Sequence, residues 1–215
     1  LYNLARGCPR DGVIVEVGSW KGRSTIWLGR GSKAGGRIPV YAVDPHTCSP
    51  RQVEGCGQGT TFYEFEKNLT KARVNDIVTP IVKTSEEAAR EFYKPVALLF
   101  VDGAHEYELV KLDFHVWFPK VIAGGIMAFH DTTRSESDGP KRVVEEFICK
   151  SSHFRNVRFV HSITYAEKVC RNSTKDRLRN LFVLMAKNLY ELAGDLKLPA
   201  GISAFGETLR ALTLD

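Results

Sequence analysis

The 215-residue chain contains no apolar run approaching the roughly 20 residues that cross a bilayer as a helix, so no membrane-spanning segment is expected within it. No secretory leader is visible, in a chain that begins at Leu1 rather than at a methionine. Cysteine is scarce and unpatterned. Cys8, Cys48, Cys56, Cys149 and Cys170 are odd in number and include no C-x-x-C pair, which argues against a disulfide framework and for a reducing, cytoplasmic setting. His46, Cys48 and Cys56 match no standard zinc spacing and supply only three ligands. No internal repeat is present.

Hydrophobic residues at 43% and charged residues at 26% are ordinary for a globular protein, and the length suits one domain with a single core. The net charge of +5 is uneven. Between Lys150 and Arg179 stand eight basic residues and two acids. Aromatic residues are not interleaved there as a base-stacking platform requires, so a solvated face or a patch near an anionic substrate is expected, not nucleic acid.

The chain is organised around Val13–Asp44. Val13-Ile14-Val15-Glu16-Val17 reads as a strand buried on both faces, and Gly18-Ser19-Trp20-Lys21-Gly22 as the turn after it. A helix with Thr25, Ile26 and Leu28 on its apolar face follows, stopped by Gly35-Gly36, and a second strand from Pro39 to Val43 delivers Asp44 where a ribose diol would lie. A dinucleotide site wants G-x-G-x-x-G; here the pattern is Glu16-x-Gly18-x-x-x-Gly22, one glycine short. Glu16 repels phosphate and welcomes a cationic group. The ligand expected is a nucleoside carrying positive charge, and the missing glycine argues against a dehydrogenase.

Further strands are expected at Ile77–Val82, Val96–Val101 and Ile126–Phe129, the last entered by a Gly124-Gly125 turn, with helices between them. This alternation means a doubly wound, mostly parallel sheet with ligands at the carboxyl ends of its strands, where Glu16, Asp44, Asp102 and Asp131 all fall. Tyr2–Arg6 reads as a helix over the ligand entrance. Pro45–Thr61 reads as a long lid loop, and with Thr132–Pro140 and the tail as part of an acceptor pocket. A helix is expected from Gly139-Pro140 to about Ile148, and then two antiparallel strands, Val157–Val160 and Ile163–Ala166. In the tail, Leu178, Leu181, Phe182, Met185, Leu189 and Leu192 stripe one helix, expected to dock on the domain's own sheet or on a second subunit as a homodimer. Ser203–Leu212 reads as a second short helix. The domain is expected over residues 1–170, with 171–215 as a helical extension.

The E-x-G-x-x-x-G turn and the acid ending strand two resemble those of class I S-adenosylmethionine-dependent methyltransferases. Val96-Ala97-Leu98-Leu99-Phe100-Val101-Asp102-Gly103-Ala104-His105 and Gly124-Gly125-Ile126-Met127-Ala128-Phe129-His130-Asp131 resemble the small-molecule O-methyltransferases typified by the macrocin, rhamnosyl and catechol enzymes. The resemblance runs over roughly residues 10 to 165. It implies a Rossmann-like, seven-stranded sheet with helices on both faces, and transfer of methyl from S-adenosylmethionine to a small-molecule hydroxyl. It implies cofactor contacts from Glu16, Gly18, Ser19, Gly22, Ser24, Asp44, Thr84, Ser85 and Asp102, with Thr84 and Ser85 near the adenine. A divalent metal, magnesium or similar, is implied at Asp102, His130 and Asp131. Where the family has Asp-Asp or Asp-Asn this chain has His130-Asp131, and imidazole suits zinc, iron or nickel better than magnesium. Where catechol-type enzymes have a lysine base, three residues after the first metal aspartate, this chain has His105. Histidine serves as a base near neutral pH. An inactive binding module of the same fold would need none of Asp102, His105 and Asp131.

Overall fold

The computed structural model describes residues 1–47, 60–133 and 138–195. Most of the expected lid, part of the Thr132–Pro140 loop, Cys48 with Cys56, and the Ser203–Leu212 helix lie outside the described residues. No helix among the described residues is long and apolar enough to cross a membrane.

In chain order the elements are α1 (Tyr2–Arg6), β1 (Val13–Val17), α2 (Arg23–Ala34), β2 (Val40–Val43), α3 (Phe62–Ala72), β3 (Val78–Ile81), α4 (Ser85–Glu91), β4 (Val96–Val101), α5 (Tyr107–Trp117), β5 (Val121–Phe129), α6 (Asp138–Val143), β6 (Phe154–Val160), β7 (Ile163–Lys168) and α7 (Thr174–Asp195). The sheet has seven strands in the order β3-β2-β1-β4-β5-β7-β6. β1 to β3 and β4 pair in parallel, whereas β7 runs antiparallel to both β5 and β6. This is the expected doubly wound α/β class.

Compactness divides the chain into two units. The first, Leu1–Ala104 with His115–Gly125, is built on β1 and β4. Each β4 residue is buried, as a strand covered on both faces demands, and this is why VALLFV reads as an unbroken apolar run. In α2, Thr25, Leu28, Gly29 and Ser32 are buried at helical spacing and turn one stripe inward. α1 lies against the carboxyl half of α2, where a Cβ on Gly31 would stand 2.3 Å from the Tyr2 carbonyl oxygen. The expected position over the ligand entrance is therefore corrected: small residues late in α2 admit α1 at the end remote from the glycine turn.

The second unit, His105–Phe114 with Ile126–Asp215, holds the antiparallel edge. Two boundaries differ from expectation. β5 already begins at Val121, so Gly124-Gly125 lies inside a strand, with Gly124 at φ +83° as a local irregularity. The helix after Gly139-Pro140 changes winding: α6 ends at Val143 and a π-helix continues over Val144–Cys149, closed by a bond from Lys150 N to the Glu145 carbonyl. α7 packs on β6 and on that π-helix through Asn180, Val183, Leu184 and Lys187. Asn180 Nδ2 donates to the Phe154 carbonyl at 2.9 Å, and Lys187 pairs with Glu191 at 2.7 Å. The apolar stripe of α7 does not dock on its own sheet, because that face of the helix points to solvent.

Candidate active site

At the carboxyl end of β1, Glu16 is wholly buried between Ala42 and Phe100 of the flanking strands. Thr25 Oγ1, brought over it by the first turn of α2, donates to Glu16 Oε2. The other oxygen, Oε1, and the neighbouring Ser19 Oγ are buried with no hydrogen-bond partner. Burial pushes the Glu16 carboxyl up to about 7, and the charge of Asp102 adds to this, while the hydroxyls of Ser24 and Thr25 pull the other way. An ionised carboxylate here is short of compensation and suits a cation.

Gly18 makes the turn possible. Its φ is +87°, and a Cβ would stand 2.4 Å from the Asp102 carbonyl oxygen and from Gly103 Cα, so the ends of β1 and β4 close up only over glycine. Gly22 precedes α2 as its N-cap. The Asp102 amide donates to the Val17 carbonyl at 2.8 Å, which fixes the tip of β4 beside this turn.

Asp44, at the tip of β2, accepts from Trp20 N at 2.7 Å through Oδ2 and from His46 N at 2.6 Å through Oδ1. Both donors sit at positive φ, 42° for Trp20 and 52° for His46, a conformation that costs a non-glycine residue energy and that the carboxylate holds in place. Each oxygen keeps a second lone pair. Trp20 itself is 47% exposed, with Lys21 Nζ 5.1 Å from its ring.

His46 was not legible as a site residue. It is buried, its Nδ1 lies 2.9 Å from Thr61 Oγ1, and the rings of Phe62 and Phe65 pack at 5.1 and 5.0 Å. Burial lowers its pKa, opposed by Asp44 and Glu66. Its only local signal is its place two residues after the acid that ends β2.

Thr84 and Ser85 both have structural partners. Thr84 is the N-cap of α4 in a reciprocal capping box with Glu87, accepting from Glu87 N at 3.3 Å while Thr84 N donates to Glu87 Oε2 at 3.1 Å. Ser85 Oγ accepts from the buried Trp117 Nε1 at 2.9 Å.

In the second unit a chain of side chains converges on Asp131. His105 Nε2 lies 2.9 Å from Asp131 Oδ2, and His130 Nδ1 lies 3.2 Å from the same oxygen. His130 Nε2 is 3.0 Å from Ser162 Oγ in the β6–β7 turn, a residue no local pattern singles out. Asp131 is buried and at φ +51°, a strained conformation for a residue other than glycine. His105 is placed by its backbone: a Cβ on Gly139 would stand 2.1 Å from the His105 carbonyl oxygen, so the first turn of α6 seats directly on it. Because a carboxylate only accepts, the Asp131 contact assigns the proton of neutral His105 to Nε2 and leaves Nδ1 as acceptor. Of the residues expected to hold a metal, His130 and Asp131 lie together in the second unit, and Asp102 belongs to the first.

A model of the methyltransferase domain matches residues 15–132. The uncharacterised protein R132 of Acanthamoeba polyphaga mimivirus is 26% identical over 136 residues, 61% of this chain and 57% of that protein, so the chain spans little more than half of that relative. Among solved structures, the O-methyltransferase NovP superposes with a TM-score of 0.62 at 18% identity, over 78% of this chain and 75% of its own. An O-methyltransferase from Bacillus cereus in complex with SAH gives 0.54 at 19% identity over 77% of each chain. An rRNA methylase from Streptococcus thermophilus gives 0.53 at 13% identity over 77% of this chain and 92% of its own. Likeness at such identities is one of fold. The domain match covers more than half of the sequence, includes the Glu16 turn, Asp44, Asp102, His105 and Asp131, and coincides with the parallel part of the sheet: the chain belongs to the methyltransferase-domain family, with the class I, S-adenosylmethionine-dependent fold.

Proposed function

We propose that the protein transfers a methyl group from S-adenosylmethionine to a hydroxyl of a small molecule, with His105 as the base. The observation that carries this reading is the 2.9 Å contact between His105 Nε2 and Asp131 Oδ2, which orients an imidazole and leaves its Nδ1 able to take a proton. When bound, S-adenosylmethionine supplies an electrophilic methyl carbon on a sulfonium, and the C–S electron pair returns to sulfur as the O–C bond forms. Glu16 Oε1, buried and unpartnered, faces the need for a cation such as the donor's ammonium. Asp44 uses the remaining lone pairs of its two oxygens for the ribose diol. The acceptor's hydroxyl proton passes to His105 Nδ1, and the imidazolium so formed is stabilised by the Asp131 carboxylate.

A second reading adds a divalent cation held by Asp102, His130 and Asp131, and the convergence of two imidazoles on the buried Asp131 carboxylate favours it. Two carboxylates and an imidazole fit a first-row cation such as manganese, iron or zinc better than magnesium. Such an ion would lower the pKa of the acceptor hydroxyl and hold its oxygen. A small acceptor is preferred to nucleic acid because part of the basic segment is already engaged: Arg155 is neutralised by Glu167 at 2.6 Å, and Arg177 is tied by a hydrogen bond to Asn172. A homodimer is also part of this reading.

The test is transfer of labelled methyl to a panel of sugars, phenols and catechols against amines and short RNA. Label in hydroxyl acceptors alone supports the proposal; label confined to amines or RNA, or none despite binding of S-adenosylhomocysteine, removes it.

A further inference from the structure

Within the first unit α2 and α3 pack together and leave an open groove of about 370 Å³ on their outer side. Ile26, Trp27 and Ala72 give it an apolar lining, Arg23, Arg30 and Lys71 give it three cations, and no acid lines it. The basic residues of this face fall into two sets. Lys21 pairs with Glu64 at 2.8 Å, and Lys33 and Arg37 share Asp76 at 2.7 and 3.0 Å. Arg23, Arg30 and Lys71 have no carboxylate partner among the described residues, and the remaining acid of α3, Glu66, acts on His46 instead. Three like charges around one small groove repel one another, and an anion relieves that repulsion. Arg23 also opens α2, where the helix dipole favours an anion over a cation. Trp27 is 49% exposed, whereas Trp117 is fully buried in the core, and the Arg30 guanidinium lies 5.9 Å from the centre of the Trp27 ring. Asn68 Nδ2 donates to the Lys21 carbonyl at 2.9 Å, which leaves its Oδ1 to accept a further bond.

We propose that this groove binds a nucleoside phosphate, with the base stacked on Trp27 and the phosphates among Arg23, Arg30 and Lys71. None of its lining residues is among those assigned to methyl transfer. The chemistry of the lining selects the ligand class. Guanidinium and ammonium groups bind phosphate oxygens, the former through paired N–H donors. An indole with a cation beside it takes a flat π-system, for which inorganic phosphate or an acidic peptide has no counterpart. Size narrows the class further. The groove is near the lower end of the ~300–1,000 Å³ of small-molecule sites, which suits one nucleotide. A single strand of nucleic acid instead follows a basic track over roughly 4–16 nucleotides with several stacking residues, and Trp27 stands alone in this lining.

The test is calorimetric titration of the full chain with guanosine diphosphate, in excess S-adenosylhomocysteine so that a nucleoside site for the methyl donor is already filled. Micromolar binding is expected, weakening as salt is raised from about 50 to 200 mM. Trp27→Ala, Arg30→Ala and Lys71→Glu should each weaken it by about tenfold or more, the scale of one lost stacking or charged contact. Guanosine and pyrophosphate, each lacking half of the ligand, should bind more weakly by a similar factor. All three substituted side chains are exposed, so far-UV circular dichroism should not change, and Lys71→Glu in the last turn of α3 keeps the proposal falsifiable if Trp27→Ala fails to fold. Absence of binding overturns it, as does binding that the variants leave unchanged, which puts the nucleotide elsewhere. Pyrophosphate that binds as tightly as the nucleotide overturns the role of Trp27 and makes the groove an adventitious anion site only. A short single-stranded RNA or an oligoglutamate peptide that binds more than about tenfold tighter also overturns it, and gives the groove to that polymer.

Discussion

His105 and Asp131 are 26 residues apart in the chain, and the Nε2 of one lies 2.9 Å from the Oδ2 of the other. The pair joins a residue four past the end of β4 to one two past the end of β5, and in the proposed reaction the other nitrogen of the imidazole takes the acceptor's proton. His105→Ala is expected to lower turnover by about 10²–10⁴, the range of a lost general base, with S-adenosylhomocysteine affinity nearly unchanged. Asp131→Asn should lower turnover in the same direction by disturbing the imidazole's tautomer. Turnover in His105→Ala within about twofold of wild type, measured with an accepted substrate, would take the base role away.

Glu16 carries a pH dependence. Its carboxyl is raised in the fold to about 7 from an ordinary 4.5, so the folded state holds the proton more tightly than the unfolded chain. The contribution of this group to stability is fully present below about pH 4.5 and is lost as the pH rises to about 7, on the order of 3 kcal/mol in total. Thermal melts of wild type and Glu16→Gln between pH 4.5 and 8 should diverge, with the variant gaining on wild type as the pH rises. Parallel curves would show that Glu16 does not ionise in this window.

Asp44 is expected to serve the ligand and the fold together, because it holds the Trp20 and His46 amides. Asp44→Ala should weaken S-adenosylhomocysteine by about 1–3 kcal/mol in calorimetry and also lower the melting temperature of the ligand-free protein. A variant that binds normally would remove Asp44 from the ribose site. A variant that melts normally but binds poorly would mean that the two backbone contacts contribute little.

If the cation reading holds, manganese at about 100 times its dissociation constant should stabilise the protein by about 2.7 kcal/mol, seen as a raised melting temperature. The shift should vanish in Asp102→Asn. Equal shifts in wild type and variant would place the ion elsewhere, and no shift at any concentration would leave His105 to act without metal.

Much of this molecule was legible because its signals are local. VIVEV and VALLFV are strands whose two faces are both covered, and an unbroken β-branched run has few other uses. The Gly18 turn was readable because its geometry excludes any Cβ, whereas the capping box of Thr84 with Glu87 emerged only in the structure. Gly124-Gly125 misled, since a glycine pair marks a turn far more often than an irregularity inside a strand. The π-helix over Val144–Cys149 left no trace in the apolar spacing.

The sequence by itself determined the strand–helix alternation, the acids at the strand tips and the amphipathic character of α7, all of which follow from periodicities of two and 3.6 along a single segment. Only the tertiary structure decided which partners those groups meet. Ser162 reaches His130 from a turn 32 residues away, Thr25 satisfies one oxygen of Glu16 and leaves the other bare, and α7 turns Val183 and Leu184 inward while Leu178 and Met185 stay in water. A period says that a helix has an apolar face; which of two faces is buried depends on the volume and hydrogen bonds offered by β6 and the π-helix, and these are assembled from distant parts of the chain.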